Sequence, residues 1–361
     1  MLKYILIFFF TLGTLGIYAQ EHEEIRYVDI SRFELLGKSD IADAVNFYRI
    51  DEALTAGFSE RLKALSKNTA GFNVVFKTDA SFITVKWELD RYKVLSNMTP
   101  IAVDGLDLYG WNDGKWQYVS SARPSGEENT WTFIKNMSGE MRHYRIYFPL
   151  YTGVKKMEIG IDPESTILPA DGSLLPKRKI AIYGSSITQG ASASRPGMAF
   201  TSVLGRKLNA DIYNLGFSGS GKMEMEMAEA LTGITPDLFV LDCVPNPSVE
   251  QIRTRTVPFV KTLRKAHPDI PVLMVESVFR EHAHWDREWE KTVSGQNAAF
   301  RKAYLDMKEG GMDKLYYIGS EGLIGNDHEA TIDGTHFTDV GHMRMADRLY
   351  PLIVEILPED E

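Results

Sequence analysis

Ile180-Ala181-Ile182-Tyr183-Gly184-Ser185-Ser186-Ile187-Thr188-Gln189-Gly190 runs four apolar residues into a turn of glycine and serine. A short apolar run without polar alternation reads as a strand buried on both faces, as in a parallel sheet. Downstream the pattern recurs in Ile212-Tyr213-Asn214-Leu215, Leu238-Phe239-Val240-Leu241, Val272-Leu273-Met274-Val275 and Leu315-Tyr316-Tyr317-Ile318. Amphipathic stretches separate these runs, for example Val249 to Ala266 and Asn297 to Glu309. Strands alternating with helices predict an α/β unit with a parallel sheet covered by helices, whose ligands bind at the carboxyl ends of the strands.

Upstream the rhythm is different. Between Tyr27 and Asp162 the segments Phe72 to Lys77, Phe82 to Trp87, Tyr144 to Phe148 and Lys156 to Ile161 alternate apolar and polar residues. Turns such as Asn112-Asp113-Gly114 and Arg123-Pro124-Ser125-Gly126 break them. Period two with such turns predicts an antiparallel, jelly-roll-like β-sandwich. The stretch from Ile41 to Leu65 has room for one short helix. The change of rhythm near Pro169-Ala170-Asp171-Gly172 divides the chain into a β-sandwich unit, 23–172, and an α/β unit, 176–361.

Composition narrows the function. The 361 residues carry 40 Lys plus Arg against 49 Asp plus Glu, a net charge of −9, which argues against nucleic acid as a partner. Hydrophobic residues at 44% and charged residues at 25% are ordinary for a globular protein and disfavour disorder, a collagen-like chain or a multi-span membrane protein. The single cysteine, Cys243, can form no disulfide within the chain and lies in an apolar strand, where it reads as inert packing. Met1-Leu2-Lys3, an apolar run from Tyr4 to Ile17 and a small residue at Ala19 predict a signal peptide over residues 1–19. The run is shorter than the roughly 20 residues a span requires, so the expectation is an exported protein without stable membrane insertion after cleavage.

The chemistry is expected where the strands end. A serine on a tight turn between strand and helix, as at Ser185-Ser186, is exposed at the active edge, although an N-cap serine would look the same. About 150 residues later, Asp333-Gly334-Thr335-His336 places an aspartate three residues before a histidine, close enough to fix the tautomer of the ring. Asn214-Leu215-Gly216-Phe217-Ser218-Gly219 follows the second strand and Asp242-Cys243-Val244-Pro245-Asn246-Pro247 the third. A glycine N–H and an asparagine amide at those points are candidate donors to an oxyanion.

These blocks, in this order, resemble those of the SGNH/GDSL hydrolase family across about residues 178 to 357: Gly184-Ser185-Ser186, Gly219, Asn246, and Asp333 with His336. The resemblance implies a flavodoxin-like α/β/α three-layer fold and a serine esterase without metal or other cofactor. It also implies Ser186 as nucleophile, His336 as base and Asp333 as orienter, with Ser186 N–H, Gly219 N–H and the Asn246 amide holding the oxyanion. Gly105-Leu106-Asp107-Leu108-Tyr109 is similar to a motif of the β-rich domain that precedes this catalytic domain in some exported bacterial esterases. Two departures stand out. Ser185 replaces the aspartate that the family uses to brace the turn, and Val244 and Pro247 flank the asparagine in place of glycine and aspartate.

Arg280, His282, His284 and Trp285 follow the fourth strand and are candidates for substrate contact, with solvated loop residues as the bland reading. Glu281 beside the two histidines raises a zinc site, which is set aside in favour of substrate contact. Gly216 to Lys222 has phosphate-loop spacing, but Met223 stands where Ser or Thr would hold magnesium. Trp87, Trp111, Trp116 and Trp131 read as core packing, with a sugar-stacking face as the rival. The expected partner is a small acyl ester or acylated carbohydrate. The alternatives are a lipase, thioesterase or arylesterase on the same scaffold, or an inactive glycan-binding protein.

Overall fold

In the computed structural model, residues 24–358 are described, and the expected signal peptide at 1–19 lies outside them. The β-rich half contains β1 (Arg26–Asp29), β2 (Glu34–Leu36), β3 (Asn73–Thr78), β4 (Ile83–Leu89), β5 (Leu106–Asn112), β6 (Lys115–Ala122), β7 (Glu128–Ile134), β8 (Arg142–Tyr147), β9 (Val154–Ile161) and β10 (Ile167–Pro169). Two short helices interrupt it, α1 (Glu60–Ser66) and α2 (Pro100–Asp104). One sheet has the order β1-β9-β4-β7 and the other β10-β3-β8-β5-β6, with β2 pairing β3. Every pair in both is antiparallel. In β4 the alternation is direct: Val85, Trp87 and Leu89 are buried, while Lys86 is exposed. Val74, Phe76, Leu108 and Ile146 meet them from the second sheet, forming a sandwich core.

The second half alternates β11 (Arg178–Gly184), α3 (Ser186–Gln189), α4 (Phe200–Leu208), β12 (Ala210–Gly216), α5 (Met225–Leu231), β13 (Leu238–Asp242), α6 (Val249–Ala266), β14 (Val272–Val275), α7 (Arg287–Glu309), β15 (Leu315–Ile318) and α8 (Asp339–Ile356). The sheet is wholly parallel, in the order β12-β11-β13-β14-β15. This is the doubly wound flavodoxin-like order, with its topological switch beside β11. Ile180, Ile182 and Val240 pack with α4 and α8 on one face. Ala181, Tyr183 and Phe239 pack with α5, α6 and α7 on the other. Burial on both faces explains why these strands read as continuous apolar runs rather than alternating ones.

Helix boundaries follow local chemistry. Ser248 and Gln251 form a capping box at the start of α6, whose buried Ile252, Thr256, Phe259 and Leu263 make one stripe. α7 begins at Arg287, well ahead of the expected Asn297, because Asp286 accepts hydrogen bonds from the Glu288 and Trp289 N–H groups. Its first two turns are nearly all polar and exposed, so apolar periodicity does not announce them.

Buried polar contacts join the halves. The Asp107 carboxylate of the Gly105 to Tyr109 motif accepts from Arg195 Nη1 at 2.9 Å, Gly197 N–H at 2.8 Å and Ser121 Oγ at 2.7 Å. Burial pushes the Asp107 carboxyl up, and Arg195, Ser121 and Gly197 pull against it. Arg195 Nη1 also donates to Tyr109 Oη at 2.6 Å. The motif therefore docks β5 onto the segment that enters α4.

α8 is anchored by His342, which is fully buried. Its Nδ1 accepts from Phe200 N–H at 3.2 Å, so the proton sits on Nε2, 3.1 Å from the Ala191 carbonyl. Burial pushes the imidazole down to about 4. The unfolded chain, titrating near 6.5, then takes up a proton that the native state refuses. Stability is expected to fall by about 3 kcal/mol as pH drops from roughly 6.5 towards 4. Urea midpoints across that window should show the slope, and His342→Phe should flatten it; equal slopes in both would contradict the assignment.

Candidate active site

The end of β11 approaches its neighbours closely. A Cβ on Gly184 would run into the Thr188 hydroxyl and the Asp242 carbonyl, so only glycine lets the chain turn there. Ser185 is fully buried and its Oγ accepts from Ile187 N–H at 3.2 Å, capping α3. The turn has a carboxylate after all, supplied by β13: Thr188 Oγ1 donates to Asp242 Oδ2 at 2.7 Å. Burial raises that carboxyl to about 7, against the Thr188 hydrogen bond. Cys243, the next residue, is wholly buried, which pushes its thiol up.

Ser186 opens α3 and is 8% exposed. Its Oγ lies 2.9 Å from His336 Nε2, across 150 positions of sequence. His336 Nδ1 lies 2.8 Å from Asp333 Oδ2, while Asp333 Oδ1 accepts from the His336 and Thr335 N–H groups at 2.8 and 3.1 Å. Burial alone would raise the Asp333 carboxyl; the His336 N–H, the imidazole and the Thr335 N–H outweigh it and hold it at about 2. An ionised acceptor at Nδ1 places the ring proton there and leaves the Nε2 lone pair facing the serine. Among the described residues nothing accepts the Ser186 N–H, and Tyr151 Oη donates to the Ser186 carbonyl at 3.4 Å.

Gly219 follows β12 at φ +69°, a left-handed conformation that leaves its N–H without a partner among the described residues. A Cβ there would also press on the Arg61 guanidinium, which donates to the Ser218 carbonyl at 2.8 and 3.0 Å. Asn246 follows β13 and donates its Nδ2 to the Ser220 carbonyl, tying its loop to that of Gly219. One amide hydrogen is thereby committed and the second remains. Because β12, β11 and β13 are adjacent, the segments carrying Gly219, Ser186 and Asn246 leave neighbouring strand ends.

Of the residues after β14, Arg280 and His282 both lie against the Trp289 ring, whereas His284 and Trp285 take other surroundings. Arg280 is 7% exposed; it donates to the Pro245 carbonyl and lies 5.1 Å over the Trp289 ring, where it steadies the Asn246 loop. His282 packs against Gly334, so that a Cβ there would strike its ring. His284 faces Phe279 and His328, and Trp285 is 91% exposed. The four tryptophans likewise share no face. Trp87 is buried with its indole bonded to the Asp104 carbonyl and Trp131 packs against the same core, whereas Trp111 and Trp116 pair edge to face on the β5–β6 hairpin.

The β-rich half supplies groups that carried no sequence signal. Asn97, in the loop before α2, donates to Asp333 Oδ2 at 3.3 Å and lies 3.5 Å from His336 Nδ1. Its loop is pinned to the other half by Thr99 Oγ1, which donates to the Ser194 carbonyl at 2.6 Å. Arg49 is fully buried and donates to four carbonyls, Asn68, Leu65, Asn214 and Gly216, at 2.7 to 2.9 Å.

The arrangement places a hydroxyl, an imidazole and a carboxylate in series beside unpaired N–H donors, the equipment of acyl transfer. A family model described as a GDSL-like lipase/acylhydrolase family matches residues 177–354, and one described as the N-terminus of SGNH-hydrolase-type esterases, GxDLY, matches 25–167. No curated protein matches. A crystal structure from Bacteroides ovatus ATCC 8483, described as a GDSL-like lipase, is 39% identical, covers 92% of this chain and 98% of its own, and superposes with a TM-score of 0.89. A salicylyl-acyltransferase from a tetracycline biosynthetic pathway is 18% identical over 92% of this chain and 98% of its own, with a TM-score of 0.76. An acetyl xylan esterase from the rumen bacterium Butyrivibrio proteoclasticus is 14% identical over the same shares, 92% and 98%, with a TM-score of 0.58. These last two share the fold. Matched along nearly its whole described length, this chain belongs to the SGNH/GDSL family of carboxylic ester hydrolases and carries the family's GxDLY-type β-rich N-terminal half.

Proposed function

We propose that the protein is an exported serine esterase that removes small O-acyl groups, acetyl foremost, from carbohydrate. The observation that carries the mechanism is the 2.9 Å contact between Ser186 Oγ and His336 Nε2. His336 takes the hydroxyl proton as Oγ attacks the ester carbonyl. The oxyanion meets Ser186 N–H, Gly219 N–H and the free Asn246 hydrogen. Collapse expels the sugar alcohol, which receives the proton from His336, and water then releases the acid by the same steps. Asp333, ionised down to about 2, stabilises the imidazolium throughout.

Polar surroundings support a hydrophilic substrate. Asn97, Arg61 and Asn246 border the site, and two of these come from the β-rich half. The fold shared with an acetyl xylan esterase points the same way. Activity on acetylated polysaccharides, compared with p-nitrophenyl esters of rising chain length, tests the substrate class. A preference for long chains would move the reading to a lipase, and failure of a fluorophosphonate to label Ser186 would move it to a glycan binder. Export rests on residues 1–19: the secreted protein should begin at Gln20, and no helix among the described residues is long and apolar enough to cross a membrane.

Asn97 tests the contribution of the β-rich half. Asn97→Ala is expected to lower kcat about tenfold with KM little changed, the value of one partly exposed hydrogen bond to a charged acceptor. Asn97→Asp should cost more, because it sets a second negative charge beside Asp333. Wild-type kcat in both variants would show that this loop does not act on the site.

A further inference from the structure

Loop residues 44 or more apart in sequence meet next to the segment that packs on the Asp333–His336 turn. Glu281, His284 and His328 each present one donor atom, and the three donors lie within 4.8 Å of one another. His328 Nδ1 is 2.8 Å from Glu281 Oε2, and the His284 and His328 ring centroids are 4.9 Å apart. The ring nitrogens of His284 have no hydrogen-bond partner among the described residues.

The backbones beneath these side chains are held. Arg344 on α8 grips Asp327, the neighbour of His328, through both carboxylate oxygens at 2.6 and 2.8 Å, and also reaches the Ile324 carbonyl at 3.0 Å. On the other side Ala283 is buried, and the Trp285 and Asp286 N–H groups both donate to the His282 carbonyl, at 3.0 and 2.8 Å. Two imidazoles and a carboxylate are the donor set of zinc-class ions, which bind nitrogen and oxygen at about 2.0–2.2 Å. In tetrahedral geometry two ligands on one such ion are about 3.3–3.6 Å apart. The three donors, all within 4.8 Å of one another, reach that spacing with side-chain movements of about 1.5 Å or less, which rotamer changes supply.

We propose that Glu281, His284 and His328 form a binding site for a zinc-class divalent cation that staples the segment after β14 to the segment after β15. Three protein ligands leave a fourth position for water. The ion takes no part in ester cleavage, because Ser186, His336 and Asp333 supply that chemistry without it. It bears on the site mechanically: Glu281 N–H donates to the Gly334 carbonyl at 2.9 Å and His282 lies against Gly334, so a fixed 281–284 segment fixes the turn between Asp333 and His336.

The test is titration of tag-free, EDTA-stripped full-length protein with Zn²⁺ by calorimetry and with Co²⁺ by visible absorption, alongside melting curves. One ion should bind per chain and raise the melting temperature. His284→Ala and His328→Ala should each weaken binding by more than about tenfold and abolish the thermal shift. His282→Ala and Ser186→Ala should bind like wild type, which separates this site from the neighbouring histidine and from the catalytic residues. No saturable binding to wild type, or binding that survives both His284→Ala and His328→Ala, would overturn the proposal. Neither result depends on the identity of the substrate.

Discussion

Ser186→Ala is expected to reduce kcat for a short acyl ester by about 10⁴-fold or more, leaving the residual rate that binding and oxyanion donors alone provide. The expectation follows from one proton path. Among the described residues Ser186 Oγ alone is bonded to His336 Nε2, whereas the Ser185 hydroxyl is turned inward to cap Ile187 N–H. Ser185→Ala removes that cap at a cost of about 1 kcal/mol in stability and should retain a readily measured rate. Steady-state kinetics on both variants, with fluorophosphonate labelling, decide between them. A dead Ser185→Ala beside an active Ser186→Ala would shift the nucleophile by one residue.

The second large effect is on stability. Arg49→Met should destabilise the full chain by more than about 3 kcal/mol in urea unfolding. β12 is the edge of the parallel sheet, so the Asn214 and Gly216 carbonyls on its open side have no strand to pair with. Arg49 Nη1 takes that place at 2.9 and 2.7 Å, while Nη2 reaches the Leu65 carbonyl at the negative end of α1. Burial drags the guanidinium down to about 9, yet it remains charged at neutral pH. Methionine would match the bulk and relieve the desolvation, but it would strand the buried Asn68, Asn214 and Gly216 carbonyls, each worth about 1–3 kcal/mol when left unsatisfied, while the Leu65 carbonyl keeps the Asn68 N–H at 3.1 Å. A loss below about 1 kcal/mol would show that water or rearrangement replaces the guanidinium.

Several features were legible because each is a local property. Continuous apolar runs mark strands covered on both sides, and Val249 to Ala266 and Val272 to Val275 match α6 and β14 residue for residue. The onset of α7 was not legible, since a polar cap started the helix before any apolar stripe appeared. Ser186, Asp333 and His336 could be picked out because turns at strand ends have recognisable residue types. The burial of Arg280 was not legible, because a charged loop residue carries no mark of burial in the sequence; it is 7% exposed and donates to the Pro245 carbonyl.

By itself the sequence determined the two-part architecture, the order of elements and the residue types at the strand ends, because hydrophobic period and turn chemistry act over a few neighbouring residues. Tertiary structure alone decided that Asn97 reaches Asp333, that Arg49 completes an edge strand, that Asp242 braces the turn in place of the residue at 185, and that His328 joins Glu281 and His284. Such partners lie tens to hundreds of positions apart, and a side chain's hydrogen-bonding needs show what it must find, not where along the chain the partner lies.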